Sequence, residues 1–230
     1  FLAWRQKTLK NYFIDAEFRS YFKILVYLVS ISLLYLYITG HYSSLGETVS
    51  NGLFQVISIA TTTGFTTDDF SLWPGALPIL LIFSSFIGGC AGSTTCGVKI
   101  FRIQILYSFI RNQLKKIIYP KGIFVLKYDK NAVDEKFVSS IISFIYMYLI
   151  IFFVITALLS LTGLDFITSI SGAATSISNV GPGLGSIIGP NGNFSSLPDI
   201  SKWILTLGMI LGRLELFAIL VLFLPSFWRN

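Results

Sequence analysis

The sequence predicts an all-α membrane protein in which a transmembrane helix, a re-entrant half-helix, a glycine-bearing loop and a further transmembrane helix occur twice in succession. Three observations point there. First, the 230 residues are 53% hydrophobic and only 12% charged, with a mean hydropathy of +0.73, far from the usage of soluble domains. Second, uncharged stretches cover residues 24–46, 70–98, 137–164 and 203–212, the last resuming beyond Glu215, and a helical span needs about 20 residues. Third, the two segments that join these stretches follow one pattern. Four full spans are expected, and none alternates apolar and charged faces as a helix of a soluble core does.

Residues 1–23 are a mixed basic and aromatic segment without an initiator methionine or a signal-peptide pattern, which reads as the start of a fragment of a longer protein. Residues 24–110 form the first repeat, 111–136 a basic linker and 137–230 the second repeat. Arg5, Lys7, Lys10, Arg19 and Lys23 precede the first span, and nine further Lys and Arg fall between Lys99 and Lys136. Both regions are expected in the cytoplasm. Residues 39–75 and 163–201 contain neither Lys nor Arg but carry Glu47, Asp68, Asp69, Asp165 and Asp199, so they are expected outside. Both ends of the chain, with Arg229 near the membrane surface, then lie inside. The net charge of +6 follows from this topology and calls for no nucleic-acid partner. The basic linker suits contact with anionic lipid heads or docking of a cytoplasmic regulator.

The connections between spans are too apolar for ordinary outer loops. Each begins near an acidic residue, runs through some twelve to fifteen small, apolar and hydroxyl residues, and meets Gly64 or Gly181. A helix of that length reaches only about 20 Å and must leave the membrane by the side it entered. Extended backbone at membrane depth persists only where it lines water or is buried in protein, because each unpaired N–H or C=O is expensive in hydrocarbon. The negative end of the half-helix dipole and a following row of carbonyl oxygens together favour a dehydrated cation, and glycine permits the backbone angles this requires. Thr62, Thr63, Gly64 and Phe65 match Asn179, Val180, Gly181 and Pro182 as ion-binding candidates. Both resemble a degenerate form of the potassium-channel filter sequence TVGYG. A single glycine and the fixed φ of Pro182 predict a shorter and less stringent filter. The plain alternative is that Gly64 and Gly181 are turn residues.

The second span contains the run GGCAGSTTCG at residues 88–97, whose low helix propensity predicts a break. Gly88, Gly89, Gly92 and Gly97 would let this segment lie across the path as a movable barrier, or would form a close helix-packing surface instead. Arg213 and Glu215 sit inside the fourth span and point to different sides of a helix, so each needs a partner elsewhere. Arg213 is placed to bond carbonyls of the 88–97 segment, as an electrostatic barrier to cations or as a structural clamp. Glu47, Asp68 and Asp69 would draw cations to the outer mouth, or are solvated loop charges.

Cys90 and Cys96 read as small packing residues, and His41 as an interfacial side chain, so no protein-held metal is expected beyond a passing potassium ion. No nucleophile, base and orienting acid converge, which argues against an enzyme. Paired half-helices also occur in water and neutral-solute channels, but those meet with their positive N-terminal ends at the centre, whereas these glycines follow helix C-termini.

TTTGFTTDDF at residues 61–70, SNVGPGLG at 178–185 and GRLELF at 212–217 together resemble the Trk/Ktr/HKT potassium-transporter superfamily, in particular its TrkH-type bacterial members. That resemblance covers essentially the whole chain. It implies that the chain holds the third and fourth of four repeats around one pore, and that main-chain oxygens of Thr63, Gly64, Phe65, Val180, Gly181 and Pro182 meet the ion. It implies a gating loop at residues 88–97 and potassium uptake across a bacterial cytoplasmic membrane. It also implies a homodimer and a nucleotide-binding cytoplasmic regulatory subunit, with no cofactor in this chain. The runner-up is an ion-coupled secondary transporter with broken helices and a central cation site.

Overall fold

The computed structural model describes residues 15–129, 131–214, 216–222 and 225–228. Arg5, Lys7, Lys10, Glu215 and Arg229, to which the sequence assigns a topological or intramembrane part, lie outside the described residues.

Helix α1 (Ala16–Thr39) begins at Asp15, whose carboxylate accepts the Glu17 N–H at 2.8 Å, and ends at Gly40 in the left-handed conformation. The capped first turn brings Glu17, Arg19 and Lys23 into the helix ahead of the apolar stretch. Helix α2 (Leu45–Ala60), capped by Ser44, turns back against α1. Their approach is close at Gly52, where a Cβ would lie 2.6 Å from Leu33 Cδ2. A 3-10 turn (Phe70–Leu72) leads into α3 (Leu77–Ser84), which a further 3-10 turn (Ser85–Ile87) extends. The chain then unwinds and resumes as α4 (Ile100–Ile118). The linker expected from residue 111 therefore starts only beyond Ile118. It contains a two-stranded hairpin, β1 (Lys127–Tyr128) and β2 (Asn131–Ala132), in antiparallel register with Tyr128 opposite Asn131.

The second repeat retraces the first. Helix α5 (Glu135–Leu161) is followed by α6 (Phe166–Ser178), a single turn α7 (Gly185–Ile188), a 3-10 turn (Phe194–Ser196) and α8 (Asp199–Arg213). Helix α9 (Leu216–Leu222) and a final 3-10 turn (Pro225–Trp228) complete the described chain. The correspondence extends to caps. Asp69 and Asn193 each accept a backbone N–H two residues on, opening the 3-10 turn that precedes a Pro-led helix in either repeat. One apolar core joins the repeats, with Leu36, Val56, Phe70 and Leu81 meeting Phe152, Leu159, Ala173 and Leu205.

Among the described residues, only α1 and α5 are unbroken helices long and apolar enough to cross a bilayer. The second and fourth of the expected spans are each divided between two helices. The second is interrupted where glycines at positive φ replace helical backbone, at Gly88, Gly92 and Gly97. The fourth stops at Arg213, where a cation complements the exposed carbonyls of a helix C-terminus, and helix resumes at Leu216.

Candidate functional site

The half-helices α2 and α6 end in the same way. Thr62 and Asn179, equivalent in the two repeats, both adopt the left-handed conformation at φ 54° and 53°, and two residues later Gly64 and Gly181 lie at φ 79° and 116°. These angles turn the following loop back along the helix it has just left, which closes its donors onto the helix. Thr62 N–H reaches the Ile59 carbonyl at 3.0 Å, while those of Thr63 and Gly64 reach the Ser58 carbonyl at 2.8 and 3.3 Å. In the second repeat Asn179 donates to the Ser176 carbonyl, Val180 to the Thr175 carbonyl and Gly181 to Thr175 Oγ1 at 2.9 Å. Gly183 donates to the Ile188 carbonyl and Leu184 to Ser171 Oγ. Pro182 has no N–H, so every backbone donor from Asn179 to Leu184 is satisfied inside the protein.

The acceptors are treated differently. Among the described residues no donor is hydrogen-bonded to the carbonyl oxygens of Thr63, Gly64, Val180, Gly181 or Pro182. The two loops also touch, since a Cβ on Gly64 would lie 1.9 Å from the Val180 carbonyl oxygen. The structure thus brings Thr63 and Gly64 together with Val180 and Gly181. One of the expected carbonyls is taken by a hydroxyl, and one side chain is tied to a neighbouring helix. The Phe65 carbonyl accepts the Ser58 hydroxyl at 2.6 Å, and its side chain is 71% exposed. The Asn179 side chain leaves the loop to donate to the Met209 carbonyl on α8 at 2.9 Å.

The unwound segment between α3 and α4 is closed at its neck by backbone packed on backbone. A Cβ at Gly88 would come within 2.6 Å of the Cys96 carbonyl oxygen, and one at Gly97 within 2.8 Å of the Phe86 carbonyl oxygen. Across that neck Val98 donates to the Phe86 carbonyl at 2.9 Å and Ile100 to the Gly89 carbonyl at 3.1 Å. The exposed tip presents three successive carbonyls, and cations take all three. Lys99 Nζ bonds those of Ser93 at 2.9 Å and Thr95 at 2.5 Å. Arg213 donates to that of Thr94 at 2.8 Å and approaches Cys96 Sγ at 3.8 Å. Beneath the tip lies a cavity of about 290 Å³ lined by Lys99, Arg102, Arg213, Tyr148, Cys96 and Gly212 among others. Arg102 lies over the Phe144 ring, 3.8 Å from its centroid.

The outer acidic residues have separate surroundings. Glu47 is exposed near the start of α2 and accepts the Ser43 hydroxyl at 3.2 Å. Asp68 accepts the Tyr42 hydroxyl and the Asp69 N–H, and Tyr42 in turn accepts the Trp73 indole N–H at 3.0 Å. Burial, and then the hydrogen bond to Asp68, push the Tyr42 phenol well above its usual range, so it remains the donor. Asp69 caps the 3-10 turn through Ser71 N–H and accepts Asn191 Nδ2 at 3.4 Å from the other repeat.

Sequence reasoning missed three residues. Lys99, two residues beyond Gly97, holds the loop tip as well as carrying a topological charge. Gly208 and Gly212 form a small-xxx-small pair. A Cβ at Gly212 would lie 1.9 Å from the Ile177 carbonyl oxygen and one at Gly208 2.7 Å from Ser176 Oγ, so α8 lies directly against the end of α6. The four-residue spacing was visible in the sequence.

Comparison with known proteins places these features in one family. The family model described as "TrkH: Cation transport protein" matches residues 20–230. The chain is 40% identical over 224 residues to the Trk system potassium uptake protein TrkH of Escherichia coli strain K12, covering 97% of this chain and 46% of that protein. It is 44% identical over 177 residues to the Trk system potassium uptake protein TrkI of Halomonas elongata, covering 77% of this chain and 36% of that one. It superposes on the crystal structure of the potassium transporter TrkH from Vibrio parahaemolyticus with a TM-score of 0.90 at 39% identity, over 96% of this chain and 47% of that chain. The chain spans about half the length of these relatives. With its two repeats and all but its first residues inside the family match, the chain belongs to the TrkH cation transport protein family.

Proposed function

We propose that this chain supplies two quadrants, the third and fourth repeats, of a potassium-conducting pore that takes up potassium across a bacterial cytoplasmic membrane. The observation that carries the reading is the asymmetry of the two glycine loops. The backbone donors of Thr62, Thr63, Gly64, Asn179, Val180 and Gly181 are turned into the half-helices, and the carbonyls of Thr63, Gly64, Val180 and Gly181 are left for a cation. Pro182 assists by removing a donor from the row. The negative ends of α2 and α6 support the ion from behind. The relatives' designation as potassium uptake proteins supports the choice of ion.

In this reading the segment from Gly88 to Lys99 is an intramembrane barrier, with Lys99 and Arg213 as its clamps. Holding positive charge around the cavity below the filter also disfavours a cation there. The basic end of the chain faces the cytoplasm, where the complete protein, as a homodimer, meets a nucleotide-binding regulatory subunit. Glu47 is the outer carboxylate best placed to attract cations, because Asp68 and Asp69 are tied into the loops.

The test uses the complete parent protein in cells lacking other potassium uptake. Rubidium and sodium influx are compared for the unaltered protein, Gly64→Ser and Gly181→Ser at equal membrane expression. Reduced rubidium influx with raised relative sodium passage supports the filter. Unchanged flux and selectivity return both glycines to turn residues.

A further inference from the structure

A carboxylate at the start of α1 links two parts of the chain that are far apart in sequence. Glu17 Oε2 accepts the backbone N–H of Ala91, at the tip of the unwound segment, at 2.9 Å. Its Oε1 accepts the Tyr128 hydroxyl, on β1 of the hairpin, at 3.1 Å. An ionised carboxylate accepts on both oxygens at once, and bonds to it are stronger than those between neutral groups.

The side chain is well supported from behind. Asp15 accepts the Glu17 N–H, and Gln104 of α4 donates to the Ala16 carbonyl at 3.0 Å and to Ser20 Oγ. The first turn of α1 is thereby fixed to α4. Burial, and then the negative charge of Glu17, hold the Tyr128 phenol above its ordinary range, so its hydroxyl stays a donor at neutral pH. The hairpin has only two residues in each strand. So short a ribbon is marginal by itself, and it is held by its side chains, with Leu126, Tyr128 and Val133 packed against Ile105, Val138 and Ile141.

We propose that Glu17 couples the β-hairpin to the intramembrane loop, so that a displacement of Tyr128 at the cytoplasmic surface is passed through the carboxylate to Ala91. This rests on the reading of the loop as the barrier of the pore. Lys99 and Arg213 hold the carbonyls of Ser93, Thr94 and Thr95, and Glu17 holds the N–H of Ala91, which precedes them in the same segment. A hairpin that moves away takes one support of the Glu17 carboxylate with it and leaves the tip freer to open.

Cys90, adjacent to Ala91 and half-buried, is a native reporter, whereas Cys96 is buried. In membranes containing the complete parent protein, the rate at which a charged thiol reagent applied from the cytoplasmic side modifies Cys90 is measured by peptide mapping. The variants are Tyr128→Phe, Glu17→Gln and the double variant, with rubidium influx read in the same preparations. Tyr128→Phe is decisive, because it leaves in place the Glu17 charge that acts directly on the Cys90 thiol.

The expected result is labelling faster by about three- to tenfold in both single variants. The double variant should label no faster than Glu17→Gln, since both substitutions break one link, and should exceed Tyr128→Phe only by the loss of the Glu17 charge. Acceleration in Glu17→Gln alone is a charge effect and overturns the coupling, as does an additive double variant. Faster labelling in Tyr128→Phe with unchanged rubidium influx supports the coupling and removes the barrier role of the loop. Unchanged labelling in Tyr128→Phe, beside raised influx in Arg213→Gln, keeps the barrier and overturns the coupling.

Discussion

The Gly64 backbone is closed against the Val180 carbonyl, so that a Cβ at position 64 would stand 1.9 Å from the carbonyl oxygen of the neighbouring repeat. Gly181, at φ 116°, has open space where its own Cβ would go. The two glycines therefore fail differently when replaced. Gly64→Ala meets both a backbone atom that has little room to yield and an unfavourable φ, whereas Gly181→Ala meets the φ alone, at about 1–3 kcal/mol. Rubidium influx and thermal midpoint of the complete protein are expected to fall further for Gly64→Ala, and the reverse order would contradict the contact.

Lys99 and Arg213 bond different carbonyls of the same loop tip. Lys99→Gln and Arg213→Gln are each expected to raise basal rubidium influx severalfold, by about the worth of one charged hydrogen bond. Because the two cations bond different carbonyls, the double variant should exceed both. A double variant no faster than Arg213→Gln would assign Lys99 no part in holding the tip.

Asp165 caps α6 by accepting the Thr168 N–H at 3.0 Å, and the hydrogen bonds from Thr168 hold its carboxyl below the ordinary aspartate range. A depressed folded value means that the cap's contribution is complete above about pH 3.9 and is lost as pH falls through the lower folded value. Asp165→Ala should lower stability at neutral pH by about 0.5–2 kcal/mol, measured as a shift in detergent-solubilised melting. The difference from the unaltered protein should shrink on acidification below the ordinary aspartate range.

Tyr42 and Asp68 distinguish a structural from an electrostatic role at the outer face. Tyr42→Phe leaves the Asp68 charge but removes its donor, and should lower the melting temperature with little change in flux. If Asp68 serves as a tie, Asp68→Asn behaves the same way at every ionic strength. A flux loss confined to low salt, seen only in Asp68→Asn, would make it a mouth charge instead.

Gly212→Ala places a methyl group 1.9 Å from the Ile177 carbonyl oxygen, and Gly208→Ala places one 2.7 Å from Ser176 Oγ. A carbonyl near a helix end cannot rotate away, but a hydroxyl can. Gly212→Ala should therefore reduce the folded yield and melting temperature more than Gly208→Ala does, measured by size-exclusion recovery and thermal unfolding.

The architecture was legible because the bilayer makes it so. Long uncharged runs leave the backbone only a helix in hydrocarbon, and the repeated half-helix followed by glycine marked the two loops. The break in the second span was readable from the glycine run, and the approach of Arg213 to it from the expense of an unpaired intramembrane charge. Less legible was the division of labour inside the loops. Phe65 looked equivalent to its neighbours, yet the Ser58 hydroxyl takes its carbonyl. The Asn179 amide serves α8, a tie that its place in the loop sequence does not disclose.

Composition and local pattern alone determined that this chain is helical, membrane-bound and twofold repetitive, with glycine where the backbone must turn against its preference. Those properties follow from solvation and φ, ψ sterics, which act within a few residues. Only the tertiary structure decided that Gly64 meets Val180, that Lys99 shares the loop with Arg213, and that Glu17 stands between Tyr128 and Ala91. Each of these contacts joins residues from different helices or loops. Which donor finds which acceptor across such distances depends on how the helices pack, and that is fixed by the whole chain at once.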